Sequence, residues 1–148
     1  MINLNQITWL WIGLLIGLSF IATPAKFLAP SLSLPEALEV GRATFGVFKI
    51  VECIAISFVA IAAWRLRHNR AITFWIALLG SLLLAQYAWL LPILDARVEI
   101  ILQGKTPPPS SLHRLYIVIE LAKVTCLLML GRAANAHSPL PPSLSEKP

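Results

Sequence analysis

Residues 46–58, GVFKIVECIAISF, read as hydrocarbon except at Lys49 and Glu52. On a helix this spacing puts both charges on one side, about one turn apart. A run this apolar is a candidate membrane span, and an uncompensated charge at its centre costs roughly 2.5–3.5 kcal/mol on insertion scales. Both charges therefore need partners, either each other within the helix or charges elsewhere in the chain.

The composition places the chain in lipid. Of 148 residues, 57% are hydrophobic and 13% charged, against about 45–50% and 25% in soluble domains, and the mean hydropathy is +0.76. Four stretches have the roughly 20 apolar residues that a bilayer core requires: 7–23, 42–64, 71–92 and 112–131. Proline-rich TPAKFLAPSLSLPE, basic RLRHNR and the QGKTPPPSS turn separate them. Trp9, Trp11, Trp64, Trp75 and Trp89 lie near the proposed ends, where amphipathic rings favour the water interface. Arg65, Arg67, His68 and Arg70 crowd the second loop, whereas Glu36, Glu39, Asp95 and Glu99 balance Lys26 and Arg97 in the other two. By the positive-inside rule the basic loop and both termini face the cytoplasm. The expected fold class is an all-α integral membrane four-helix bundle, N-in and C-in, over residues 1–132. A Pro- and Ser-rich tail, 133–148, is expected to be disordered. The first span reads as retained, because MINLNQ lacks the positive charge of a signal peptide. LPILDARVEIILQG keeps helical spacing of Leu94, Val98, Ile101 and Leu102; either the third span runs on past Pro92, or a short helix lies on the outer surface.

The partners for Lys49 and Glu52 emerge from a comparison of spans two and four. Arg42, Lys49 and Glu52 recur 71 positions later as His113, Glu120 and Lys123, and Phe45 recurs as Tyr116. If all four segments cross, these two helices run parallel, and the offset brings Lys49 opposite Glu120 and Glu52 opposite Lys123; the alternatives are pairing within each helix, Lys49 with Glu52 and Glu120 with Lys123, or Lys49 reaching toward the outer surface. Two functional readings arise for Lys49, Glu52, Glu120 and Lys123. They form a buried polar lock that fixes helix register, or the two glutamates line a hydrated site that binds or conducts a proton, an ion or a small metabolite. Arg42, Asp95, Arg97, Glu99 and His113 fall at the outer mouth, as a solvated face or as a gate.

Other signals are smaller. Gly13 and Gly17 have the GxxxG spacing that lets helices approach closely, inside the bundle or against a second copy. Cys53 and Cys126 lack paired spacing and are expected to be small buried side chains. No metal site is indicated, and haem would need two histidines at one depth, which His68, His113 and His137 do not provide; no cofactor is expected. Hydrolase, kinase and metalloprotease motifs are missing, so the sequence leans away from an enzyme. The 12 basic residues form no stripe, which argues against nucleic acid. The partners expected are the bilayer and a homo-oligomer or larger membrane complex.

KFLAP, GRATFGVFKIVE, LPILDARVE and SLHRLYIVIELAK, in that order, resemble segments of small bacterial four-helix membrane proteins. They are similar, at greater distance, to the family of a human transmembrane protein associated with cisplatin resistance. The resemblance implies a compact four-helix fold in a bacterial plasma (inner) membrane, and it carries over no catalytic residue. The leading function is binding or permeation of a small solute at the charged site; the alternative is a structural or assembly subunit of a larger complex.

Overall fold

In the computed structural model, which describes residues 3–66 and 68–136, every regular element is helical. Four long helices run in order: α1, Leu4–Leu28; α2, Leu34–Ala63; α3, Arg70–Leu102; and α4, Leu112–Asn135. Their starts have local causes. Asn3 and Gln6 form a capping box on α1, and the Glu36 carboxylate accepts from the Ser33 N–H and hydroxyl at the start of α2, each at 2.7 Å. Asn69 accepts from the Ala71 and Ile72 amides at the start of α3. Each device satisfies amides that the first helical turn leaves without a partner. The end of α3 is a Schellman turn, in which Gly104 adopts φ +74° while Gly104 and Lys105 donate to Ile101 and Ile100.

α1, α2 and α3 are long and apolar enough to cross a membrane. The expected fourth span is not among them, because α4 carries Arg114, Glu120, Lys123 and Arg132. Two of these four charges, Glu120 and Lys123, are completely buried. The third helix runs through Pro92 to Leu102 without a break, so LPILDARVEIILQG continues α3 rather than forming a separate surface helix. Proline at an early helical position costs little when the turn before it can rearrange. Here that turn is π-helical, Gln86–Leu90. A second π-helical stretch, Ile16–Ala22, lies in α1 just before Pro24. Of the expected disordered tail, residues 133–135 belong to α4, and 137–148 lie outside the described residues.

α4 packs chiefly against α1 and α3, and α2 packs against α1 and α3 as well. α2 and α4 are therefore neighbours of the same two helices and face each other across the middle. Two apolar clusters fill the interior. The larger holds Trp11, Leu15, Val59, Ile72, Leu79 and Leu127, and the smaller Leu90, Tyr116 and Ile119. The outer surface is apolar too: Ile50, Ile54, Phe58 and Ile61 recur at helical spacing along α2, all exposed. Apolar residues all round a helix mark a lipid-facing element rather than a water-facing one. Cys126 is buried as expected, but Cys53 is exposed on this apolar side of α2, and both are free thiols.

Where α1 meets α4, Gly131 makes room: a Cβ there would lie 3.3 Å from Asn5 Oδ1 and 3.4 Å from Thr8 Oγ1. Gly131→Leu should wedge the two helices apart and cost about 1–3 kcal/mol, lowering the thermal unfolding midpoint of the detergent-purified protein. Gly80, where nothing lies within 4 Å of an added Cβ, is the control; Gly80→Ala should unfold no earlier than the parent chain. Equal midpoints for the two variants would contradict this packing.

Candidate functional site

The polar centre is assembled by all four helices, not by α2 and α4 alone. Glu52 from α2 is completely buried, and both of its carboxylate oxygens accept from the Lys123 ammonium, at 2.9 and 2.8 Å. Trp11 of α1 donates its indole N–H to Glu52 Oε1 at 3.0 Å, and the Tyr87 hydroxyl of α3 donates to Oε2. Lys123 also reaches Glu120 Oε1, one turn earlier on α4, at 3.0 Å. Gln86 Nε2 donates to that same oxygen at 2.7 Å. Ser19 lies 3.3 Å from Glu120 Oε2, and the Tyr116 hydroxyl joins the same group through Glu120 and Ser19. Every carboxylate oxygen thus has a donor, as burial without water requires. One acceptor in the group, Gln86 Oε1, is buried without a partner.

The two π-helical stretches supply three of these side chains, Ser19 from α1 and Gln86 and Tyr87 from α3. A π-turn adds a residue to the turn and rotates the next part of the helix about its axis, and such turns recur at functional sites. Gln86 and Tyr87, adjacent in sequence, both reach the centre, one to Glu120 and the other to Glu52.

The 71-residue offset has a spatial counterpart at two of its positions. Glu52 meets Lys123, and the Phe45 and Tyr116 rings pack with centroids 5.2 Å apart. Lys49 does not meet Glu120. It is exposed, and its ammonium lies 5.5 Å from the centroid of the Tyr87 ring. Lys123 is long enough to serve both carboxylates, which leaves Lys49 on the outside of α2. Trp11, counted with the interface tryptophans, is instead wholly buried, while Trp9, Trp64 and Trp89 are exposed.

The expected outer-mouth residues gather at one end of the molecule. Arg42 pairs with Glu99 at 3.0 Å, and Arg97 donates to the Pro108 carbonyl at 2.6 Å. Asp95 lies within electrostatic reach of Arg42 and Lys49. Arg42, Asp95, Arg97 and His113 line a cavity of about 260 Å³ that opens at this end, together with Lys26 and an apolar wall. Tyr116 belongs both to the wall of this cavity and to the buried polar group. Gly13 and Gly17 have nothing from their own chain within 4 Å of an added Cβ. They line an open groove on the outside of α1, so they do not pack inside the molecule.

Trp11, Ser19, Lys26, Gln86 and Tyr87 do not stand out in the sequence as members of a site. Gln86 is the most visible of them, as an amide within an otherwise apolar span. Among the described residues no group of three His, Cys, Asp or Glu side chains could hold a metal ion. Comparisons with family models, curated proteins and solved structures give no match.

Because Trp11 and Tyr87 each give Glu52 a hydrogen bond to a charged acceptor, Trp11→Phe and Tyr87→Phe should each cost about 1.5–3 kcal/mol. Lys49→Gln, outside the network, should stay within about 0.5 kcal/mol of the parent. Chemical denaturation in detergent checks all three, and a loss for Lys49→Gln as large as that for Tyr87→Phe would contradict the assignment.

Proposed function

We propose that this is a four-span protein of a bacterial plasma membrane that binds a small solute at its outer end, in the cavity above the charged centre. α4 completes a four-helix bundle with both termini in the cytoplasm; the burial of Glu120 and Lys123 between neighbouring helices supports its crossing, since these charges meet protein instead of lipid. The observation that carries the reading is Tyr116, which stands in the cavity wall and contacts Glu120 in the buried group. Occupancy of the cavity is thereby coupled to the centre. The cavity is slightly below the usual range of roughly 300–1,000 Å³ for ligand sites, and it combines apolar walls with a few convergent polar groups.

Glu52, Glu120 and Lys123 act in this reading as the lock beneath the site. All three are 0–1% exposed, and their mutual pairing favours a fixed polar core over a water-filled path. A second reading, docking to another membrane protein or a second copy, is favoured by the unfilled groove along Gly13 and Gly17.

Single-cysteine chains test the topology and the site together. In a background with Cys53→Ser and Cys126→Ser, His113→Cys should react with a membrane-impermeant maleimide in intact cells. His68→Cys should react only after permeabilisation. A solute seated in the cavity should slow labelling at position 113 and leave position 68 unchanged. Reaction of both positions from the same side would overturn the four-span arrangement, and labelling at 113 indifferent to a broad panel of small solutes would overturn the binding site.

A further inference from the structure

We propose that the outer cavity takes a small amphipathic anion, a carboxylate or phosphate group on an apolar body, and that Lys26 holds the charged end. This names a ligand class for the binding site proposed above and rests on that reading. The charges at the cavity differ in how they are satisfied. Arg42 has Glu99, Arg97 has the Pro108 carbonyl, and Asp95 sits in the field of Arg42 and Lys49. Lys26 has no carboxylate partner among the described residues. Its ammonium faces two aromatic rings instead, 5.0 Å from the centroid of Phe27 and 5.9 Å from that of Phe45.

An ammonium held between rings at a cavity wall is positioned but not neutralised. Its position is also protected by the backbone: a Cβ on Gly41 would overlap Lys26 Nζ, so glycine at 41 is what lets the ammonium lie against α2. The rest of the wall is largely apolar, with Leu38, Leu91, Leu94 and Ile101 facing the same space. A cation without a counter-ion beside such a wall matches a ligand with one anionic group and a short hydrocarbon part. A simple inorganic ion would leave the wall unused, and a cation would meet Lys26 unfavourably. Two sources present this chemistry, a water-soluble organic acid and the headgroup region of an anionic lipid.

The full chain in phosphatidylcholine nanodiscs, titrated calorimetrically with benzoate, benzyl alcohol, benzylamine and inorganic phosphate, tests the proposal. Benzoate should bind at least about tenfold more tightly than benzyl alcohol, as one charge-assisted contact provides, and benzylamine and phosphate should bind more weakly still. Lys26→Gln should erase the advantage of benzoate while leaving benzyl alcohol unchanged. Gly41→Ala should do the same with the fold intact, because only the flexible end of Lys26 has to move. Nanodiscs containing phosphatidylglycerol separate the sources: competition with benzoate assigns the site to lipid, and undiminished benzoate binding assigns it to a soluble acid. Benzoate no better than benzyl alcohol, or an advantage that survives Lys26→Gln, would overturn the anion assignment, and phosphate binding as well as benzoate would overturn the apolar body, while the cavity remained a site. Binding of none of the four probes, in a chain whose labelling at position 113 is also unchanged by anionic lipid, would remove the site itself.

Discussion

The ammonium of Lys123, set between Glu52 and Glu120, is the contact on which the arrangement of the helices depends. Lys123 and Glu52 sit on helices that do not pack closely against each other; the pair spans the middle of the molecule, while α1 and α3 close it from the sides. Burying ions this far from water carries a penalty of several kcal/mol each, recovered only when geometry and additional hydrogen bonds are good. The supporting donors come from the two flanking helices, Trp11 and Ser19 from α1 and Gln86 and Tyr87 from α3. The result is a network in which each helix is needed to satisfy a charge on another. Such a network specifies register more sharply than apolar packing does, because a shift of one residue leaves a charge unpaired.

Two apolar clusters accompany this centre. On one side lies the large apolar core around Leu79 and Leu127, where α1 and α4 meet closely at Gly131. On the other lies the smaller cluster of Leu90, Tyr116 and Ile119, of which Tyr116 also lines the cavity. The charged residues near that cavity are half-buried or exposed, and only Arg42, Glu99 and Arg97 among them have a bonded partner among the described residues, whereas every carboxylate oxygen in the centre has a donor. Lys26 fits this contrast, since its place is set by two rings and a glycine instead of by an ion pair.

Much of this was legible in the sequence, for identifiable reasons. Hydropathy marked the apolar helices, and the cost of unpaired charge in lipid required Glu52 to find a cation. The offset shared by Phe45 with Tyr116 and Glu52 with Lys123 shows the cation that it found. What escaped was set by rotation about the helix axis. Lys49 and Glu52 are too close in sequence for spacing alone to say that one faces out while the other faces in. Trp11 carries the same composition signal as Trp9, yet one is buried and the other exposed. The π-helical turns that aim Ser19, Gln86 and Tyr87 inward have no sequence signature beyond the prolines just after them. The stretch 112–131 read as a fourth span, but α4, with Arg114, Glu120, Lys123 and Arg132, is not among the helices apolar enough to cross a membrane.

A double-mutant cycle on Glu52→Gln and Lys123→Met, with unfolding measured in detergent, tests the central contact most directly. Each single change should cost about 3–5 kcal/mol, since Lys123→Met strips both buried carboxylates of their cation and Glu52→Gln leaves Lys123 with Glu120 alone. The double variant should be less damaging than the two single losses added together, with a coupling of about 2 kcal/mol or more. Strictly additive losses, or a Lys123→Met chain as stable as the parent, would show that the two side chains do not hold each other and would contradict the account.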